Sequence, residues 1–449
     1  MMNPASRVAR LLVLLAVAAL PLRAESMGLM ELISVLEENG TITQEQAESL
    51  LNAASPETAA GANENRSPLL DASPRPDVAV GTEGDLSMAS YDGRFSAKLG
   101  GRLHLDAAYY EEDKNQLGDG TRVRKAWIEL DGTFFQDWGY ELDLAFEEEN
   151  EIDIKDAALT YKGFWPSEVI VGHFKEPFSL EEQTSANDIT FMERALVNEL
   201  VPQRSIGVGF RRHGANWNVA AGLFGEDWND DPGKERDEGW GTTARAVLAP
   251  VLTERRLLHL GAGASYRVPD EKEEVDFKTE PESSVTQLDY LDTDDIDDVQ
   301  EMNTYGLEAA ATLGPVTLQS EYVELEVFRN NGEEDLRFAG WYVSGGWILT
   351  GEHREYDIDR GAFDGVTPRR GMGALELAAR YSTLDLNEAD ITGGEQSNIT
   401  IGLNWYPNTN LRMMLNYILV DGDEDADADG DVDGDDDPRI VQLRVQVDF

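Results

Sequence analysis

Residues 439–449 read RIVQLRVQVDF. Val441, Leu443, Val445, Val447 and Phe449 alternate with Gln442, Arg444, Gln446 and Asp448, so an extended chain here carries one dry face and one wet face. The same period of two recurs at 399–405, 411–419, 140–144 and 375–381. Reading the chain outward from these stretches predicts strands at 94–110, 122–132, 138–147, 153–163, 168–175, 205–212, 216–224, 240–249, 256–268, 303–313, 315–328, 336–350, 370–384, 397–406, 410–420 and 439–448. That is an even set of sixteen.

The connections alternate in character. Tight turns are expected at 135–137, 213–214, 314–315 and 407–408, whereas 111–121, 176–204, 225–239, 269–302, 385–396 and 421–438 are long and polar. Long loops at one end and short turns at the other are the asymmetry of an outer-membrane barrel. The link at 351–369 departs from it, being long on the short side. Tyr109, Tyr110, Trp127, Trp138, Trp165, Trp341, Trp347, Trp405 and Tyr406 lie near strand ends, where interfacial girdles are expected. The fold class is therefore all-β: a 16-stranded antiparallel transmembrane β-barrel, whose lumen at this strand number is aqueous.

Composition narrows the function. The 449 residues hold 37 Lys and Arg against 87 Asp and Glu, a formal charge of −50, and no Cys. Nucleic acid is excluded as a partner, because phosphate backbones are bound by basic surfaces. Disulfides, thiolate chemistry and Cys-containing zinc sites are excluded too. A mean hydropathy of −0.41 fits a barrel, in which lumen-facing residues dilute the apolar ones. His104, His173, His213, His259 and His353 lack ligand spacing, and GxSxG, HExxH and P-loop motifs are absent, so nothing points to an enzyme or a cofactor.

Residues 1–24 read as a signal peptide: Arg7 and Arg10 precede an apolar run at 11–22 that is too short to span a bilayer as a helix. Residues 25–54 read as a short periplasmic helical hairpin or coiled-coil segment. Met30, Ile33 and Leu36 follow helical spacing, Asn39-Gly40 stops the first helix, and Thr43 with Gln46 can cap the second. Residues 55–92, rich in Pro, Ala, Ser and Asn, read as a flexible linker, and 93–449 as the barrel.

Several segments together resemble the phosphate-selective porin O and P family of Gram-negative outer membranes. They are Leu36 to Gln46, Lys98-Leu-Gly-Gly-Arg-Leu103, Val123-Arg-Lys-Ala126, Val171-Gly-His-Phe-Lys-Glu-Pro-Phe178, Phe191-Met-Glu-Arg194, Gly346-Trp-Ile-Leu-Thr-Gly-Glu352, Gly402-Leu-Asn-Trp-Tyr406 and the terminal Phe449. The resemblance implies a homotrimer and an inward-folded constriction loop, here 176–204. It also implies a basic ladder serving small anions, beginning at Arg124-Lys125. Arg194 and Arg204 flank the constriction loop, and with Lys175 they are the expected anion contacts, Glu181 and Glu182 shaping the loop. The basic cluster expected in the fifth long loop is missing, since 285–302 carry seven acids and no base.

Taking apolar neighbours as outward, Lys98, Arg102, His104, Lys125, Lys162, His173, Lys175, Arg211, Arg245, Arg267, Arg337, Arg380, Arg412 and Arg444 face the lumen. Glu129, Asp131, Glu141, Asp143, Glu308, Glu321, Glu376 and Asp448 face it too. Rings of bases favour anions and rings of carboxylates favour cations. In loop 421–438, Asp425, Asp427, Asp429 and Asp436 imitate the spacing of a calcium loop. A Ca2+ site there and a solvated acidic loop, gathering divalent ions against lipopolysaccharide and outer-membrane lipid, both stay open. The expected function is passive diffusion of small hydrophilic solutes, with anions such as phosphate on the strength of the resemblance. The alternatives are a non-selective or cation-preferring porin and a surface barrel with a structural or adhesive role.

Overall fold

The computed structural model describes residues 78–81, 86–147, 152–228, 237–422 and 436–449. The signal peptide, the helical segment 25–54 and the metal candidates Asp425, Asp427 and Asp429 lie outside these residues.

Sixteen strands follow one another in a single antiparallel ladder. They are β1 (Phe95–Glu111), β2 (Gly120–Phe134), β3 (Trp138–Ala145), β4 (Asp153–Phe164), β5 (Ser167–Lys175), β6 (Arg204–His213), β7 (Trp217–Phe224) and β8 (Trp240–Thr253). They continue as β9 (Arg256–Val268), β10 (Val299–Leu313), β11 (Val316–Arg329), β12 (Leu336–Ile348), β13 (Ala374–Glu388), β14 (Ile391–Asn408), β15 (Leu411–Gly422) and β16 (Arg439–Asp448). β16 pairs back onto β1, from Arg439 opposite Glu111 to Asp448 opposite Arg102, and so closes the barrel. Closure pairs the first strand with the last and so leaves no open edge along this seam, as a lipid environment demands. Phe449 completes it, exchanging backbone hydrogen bonds with Gly101.

Part of the stretch expected to be a linker adds to this ladder. Val78–Gly81 and Leu86–Ser90 pair with each other, and Leu86 to Ala89 pair with Leu99 to Ser96 of β1, just beyond the end of β16. Another correction concerns 385–396, expected to be a loop. β13 and β14 run on as paired strands through most of it and are joined by a two-residue turn at 389–390.

The outer face is apolar, with Leu403, Leu415, Leu443, Val441 and Ile401 exposed. Tyr109, Trp138, Trp165, Trp341, Trp347 and Trp405 are exposed with them, as girdle residues should be. Tyr110, Trp127 and Tyr406 are instead buried, and their alternation places them on the lumen side. A one-residue offset in strand parity decides between lipid and lumen.

The lumen is not uniformly wet. Val323, Leu325 and Val327 of β11, Phe338 of β12 and Leu384 and Leu386 of β13 occupy inward positions and form one buried cluster with Leu196, Val197, Leu200 and Val201 of the 176–203 loop and Leu291 and Ile296 of the 269–298 loop. Both loops fold into the barrel and dry this wall. Arg337, next to Phe338, accordingly lies on the exposed face with Glu324, which corrects the inward expectation. His173 also departs from it. It stands opposite exposed Ile206, is covered, and meets Asp227 at 3.2 Å.

The long link at the short-turn end, 349–373, folds inward as well. Its strands Arg354–Asp357 and Ala362–Val366 pair, and Phe363 packs with Leu180, Ala249, Leu257 and Ala310.

Candidate functional site

The constriction is built from the 176–203 loop and its attachments. Phe178 enters a slot between Gly263 and Gly306, which are direct partners across β9 and β10. A Cβ on either glycine would meet the ring at 2.9 and 2.7 Å. The chain then forms one helical turn, Leu180–Gln183, capped by Ser179. Its first amides, of Leu180 and Glu181, donate to the two carboxylate oxygens of Glu321 on β11 at 2.8 and 2.7 Å. A helix start offers unpaired donors, and a carboxylate in the wall takes them.

Three arginines, Arg412, Arg444 and Arg380, tie the loop down from the barrel side, and a fourth, Arg245, ties the 349–373 link. Arg412 donates to the carbonyls of Asn187, Ile189 and Thr190 at 2.7 to 3.1 Å. Arg444 holds Asp106 with two bonds of 2.7 Å and reaches Glu193 at 2.7 Å. Arg380 meets Glu282 at 2.6 Å, Glu181 at 3.4 Å and the Glu193 carbonyl at 3.0 Å. Arg245 grips Glu308 at 2.7 and 2.8 Å and the Gly361 carbonyl at 2.8 Å, with His259 also on Glu308. These predicted pore bases are thus buried ties, not open ion contacts. Arg267 is also bound, to Glu176, but stays partly exposed and lines a cavity.

The inward 349–373 link meets this loop from the other end, Arg354 donating to the Thr190 hydroxyl at 2.8 Å and to the Asp188 carbonyl.

What stays open is a cavity of about 360 Å3 between the loop and the β2–β6 wall. Eight bases line it: Arg102, Lys125, Lys162, Lys175, Arg194, Arg204, Arg211 and Arg360. Four acids do so: Glu141, Asp143, Asp156 and Glu168. Arg204 also lines a second cavity of about 590 Å3. The structure therefore gathers Lys125, Lys175, Arg194 and Arg204 at one place, with the predicted lining residues Arg102, Arg211, Glu141 and Asp143. Lys98 and Asp131 are exposed inward-register residues of β1 and β2, toward the short-turn end of the barrel, and Glu129 is paired with Arg102.

Arg124 and Lys125 are adjacent, yet both lie on the lumen side. A β-bulge makes this so: His104 faces Lys125 while Leu105 faces Val123, which leaves Arg124 as the extra residue. Arg124 nevertheless does not line the cavity; it is held by both oxygens of Glu193 at 3.0 Å. Lys175 and Arg194 share Glu182, at 3.0 and 3.1 Å. Burial alone would raise the Glu182 carboxyl, but Arg194, Lys175 and Arg204 outweigh it and hold it at about 2. Trp127 is the site residue that sequence reading assigned elsewhere. Arg102, Lys125 and Arg204 lie 4.5, 4.7 and 5.8 Å from its ring, a cation–π cluster. Its signal was parity, shared with Lys125, Glu129 and Asp131.

Asp436 accepts from the Lys114 amide at 2.7 Å, the Asn115 side chain at 3.0 Å and the Tyr290 hydroxyl at 2.5 Å. Its carboxylate joins three loops.

The two inward loops also touch each other. The Lys278 amide donates to Glu199 at 3.3 Å. Burial, with Asp276 and Asp289 nearby, lifts the Glu199 carboxyl to about 8, and burial with Glu193 lifts Glu280 to about 7. Acids with raised folded values support docking fully below their ordinary range and lose that support as pH rises from that range to the raised values. Protease access to the 269–298 loop is expected to increase between about pH 5 and pH 8. Glu199→Gln with Glu280→Gln should flatten that profile; a pH-independent wild type would refute the account.

A closed barrel with an apolar belt and a charged lumen narrowed by an inward loop defines a porin of the outer membrane. The chain belongs to the phosphate-selective porin O and P family, whose model matches residues 97–449. Porin O of Pseudomonas aeruginosa is 28% identical over 390 residues, covering 78% of this chain and 88% of that protein. An uncharacterized protein of Caulobacter vibrioides is 31% identical over 359 residues, covering 76% and 71%. Among solved structures, the anion-selective porin from Comamonas acidovorans superposes with a TM-score of 0.54 at 14% identity, covering 79% of this chain and all of that one, and supports the fold. Family and fold are those of a channel rather than an enzyme.

Proposed function

We propose that this porin passes small anions, phosphate among them, by passive diffusion. The observation that carries the reading is the cavity lining, eight bases to four acids, in a chain whose formal charge is −50. The acids of the chain are thus depleted where a solute must pass, and a basic constriction lowers the barrier for anions. The family's name and that of Porin O agree with this substrate class. Export by the 1–24 signal peptide, assembly as a homotrimer and contact with lipopolysaccharide through the acidic loops complete the proposal.

Planar-bilayer recording tests it. In a KCl gradient the reversal potential is expected on the chloride side, and added phosphate should reduce chloride current. A reversal potential on the potassium side would defeat the anion reading, and absence of channels would favour a structural or adhesive barrel.

A further inference from the structure

On the lumen wall, Glu129, Asp143 and Asp156 stand in one row across β2, β3 and β4, each the direct cross-strand partner of the next. Glu141, two residues from Asp143, faces Asp131 in the adjoining row. Like charges directly opposite one another oppose strand pairing. The outer members of the row are compensated, Glu129 by Arg102 and Asp156 by Arg204 at 2.7 and 3.0 Å. The central one is not. Asp143 is 6% exposed, borders the cavity, and among the described residues has no hydrogen-bond or ion-pair partner. Glu141 borders the same cavity, likewise without one.

One ligand oxygen from each of Glu141, Asp143 and Asp156 lies within 4.8 Å of the others. Two oxygens bound to one Ca2+ at about 2.3–2.6 Å are at most roughly 5 Å apart, so the trio has the span of a hard-cation site. The lumen cavity can supply water for the remaining positions. The charge also matches: once a cation draws off their protons, Glu141 and Asp143 bring two negative charges that no base pairs, which one divalent ion cancels.

We propose that Glu141, Asp143 and Asp156 bind a divalent, oxygen-preferring cation such as Ca2+ on the lumen wall, and that its occupancy raises the channel's preference for anions. The second half rests on the anion-channel reading; the first half does not. With the ion bound, the acids of the constriction no longer oppose its bases.

The full chain is tested in two ways. Tb3+ added alone, excited through tryptophan, reports on binding, with Trp127 lining the same cavity. Asp143→Asn with Glu141→Gln is expected to weaken the Ca2+-displaceable emission by roughly tenfold in apparent affinity. In bilayers, millimolar Ca2+ should raise the anion-to-cation permeability ratio of the wild type about twofold or more, reversibly with chelator, and leave the double variant unmoved. Equal Tb3+ binding by the two proteins would mean that the outer acidic loops alone take the ion, and would overturn the site. Binding that depends on Asp143 in a cation-preferring channel would uphold the site and refute the anion reading. Glu141→Gln alone repeats the comparison if the double variant fails to assemble.

Discussion

Lys125→Glu is expected to move the reversal potential of the open channel from the chloride side to the potassium side, with Lys125→Gln between them. Lys125 lies on the cavity wall, and among the described residues no carboxylate is within salt-bridge reach of it; its one close partner is the Trp127 ring. The neighbouring bases differ. Arg102 is held by Glu129, Arg204 by Asp156, and Lys175 and Arg194 by Glu182. A paired base presents little net field to a passing ion, whereas no adjoining carboxylate cancels the field of an unpaired one. At roughly 5 Å a unit charge acts on an ion by about 1 to 3 kcal/mol between water-like and protein-like screening, on the order of tenfold or more in relative permeability. Reversal of the charge doubles that swing. Arg211→Glu should do less, because Glu168 already offsets Arg211 at 3.1 Å. An unchanged reversal potential for Lys125→Glu would remove this residue from the ion path.

The barrel was readable because alternation is a local signal, repeated in every strand and enforced by lipid on one side. It failed where the other side was not water. At 323–327 and 336–338 the inward residues are Val323, Leu325, Val327, Leu336 and Phe338, dried by loops that meet them from far along the chain. A reading that equates polar with inward must invert Arg337 there. It failed again at 385–396, where both faces are largely polar beyond the apolar belt and an extended strand looks like a loop. The basic residues of the site were found by parity, and Lys125, Lys175, Arg194 and Arg204 do converge. Which of them is free was not readable. The bulge at Arg124, the partnership with Glu193 and the ties formed by Arg380, Arg412 and Arg444 all depend on contacts across long separations in sequence.

Those ties set the second large effect. Arg380→Met is expected to enlarge single-channel conductance and to make the open current noisy. Arg380 is almost fully buried, lies 4.5 Å over the Phe191 ring, and joins β13 to both inward loops through Glu181, Glu282 and the Glu193 carbonyl. Glu282 also accepts from Ser382, from Thr400 at 3.1 Å and from the Leu196 amide at 3.3 Å, so it cannot leave the site without breaking these bonds. Removing one partner of a buried pair leaves the other charge uncompensated and costs about 3–5 kcal/mol. The barrel wall does not depend on this pair, since its strands are held by closed backbone ladders. The cost therefore falls on docking of the 176–203 and 269–298 loops. Arg380→Met with Glu282→Gln removes the stranded charge and should restore most of the wild-type conductance. If Arg380→Met instead abolished assembly of the barrel while the double variant assembled, the pair would support folding of the wall itself. Wild-type conductance in the single variant would show that the apolar cluster around Leu196 and Leu200 holds the loop unaided.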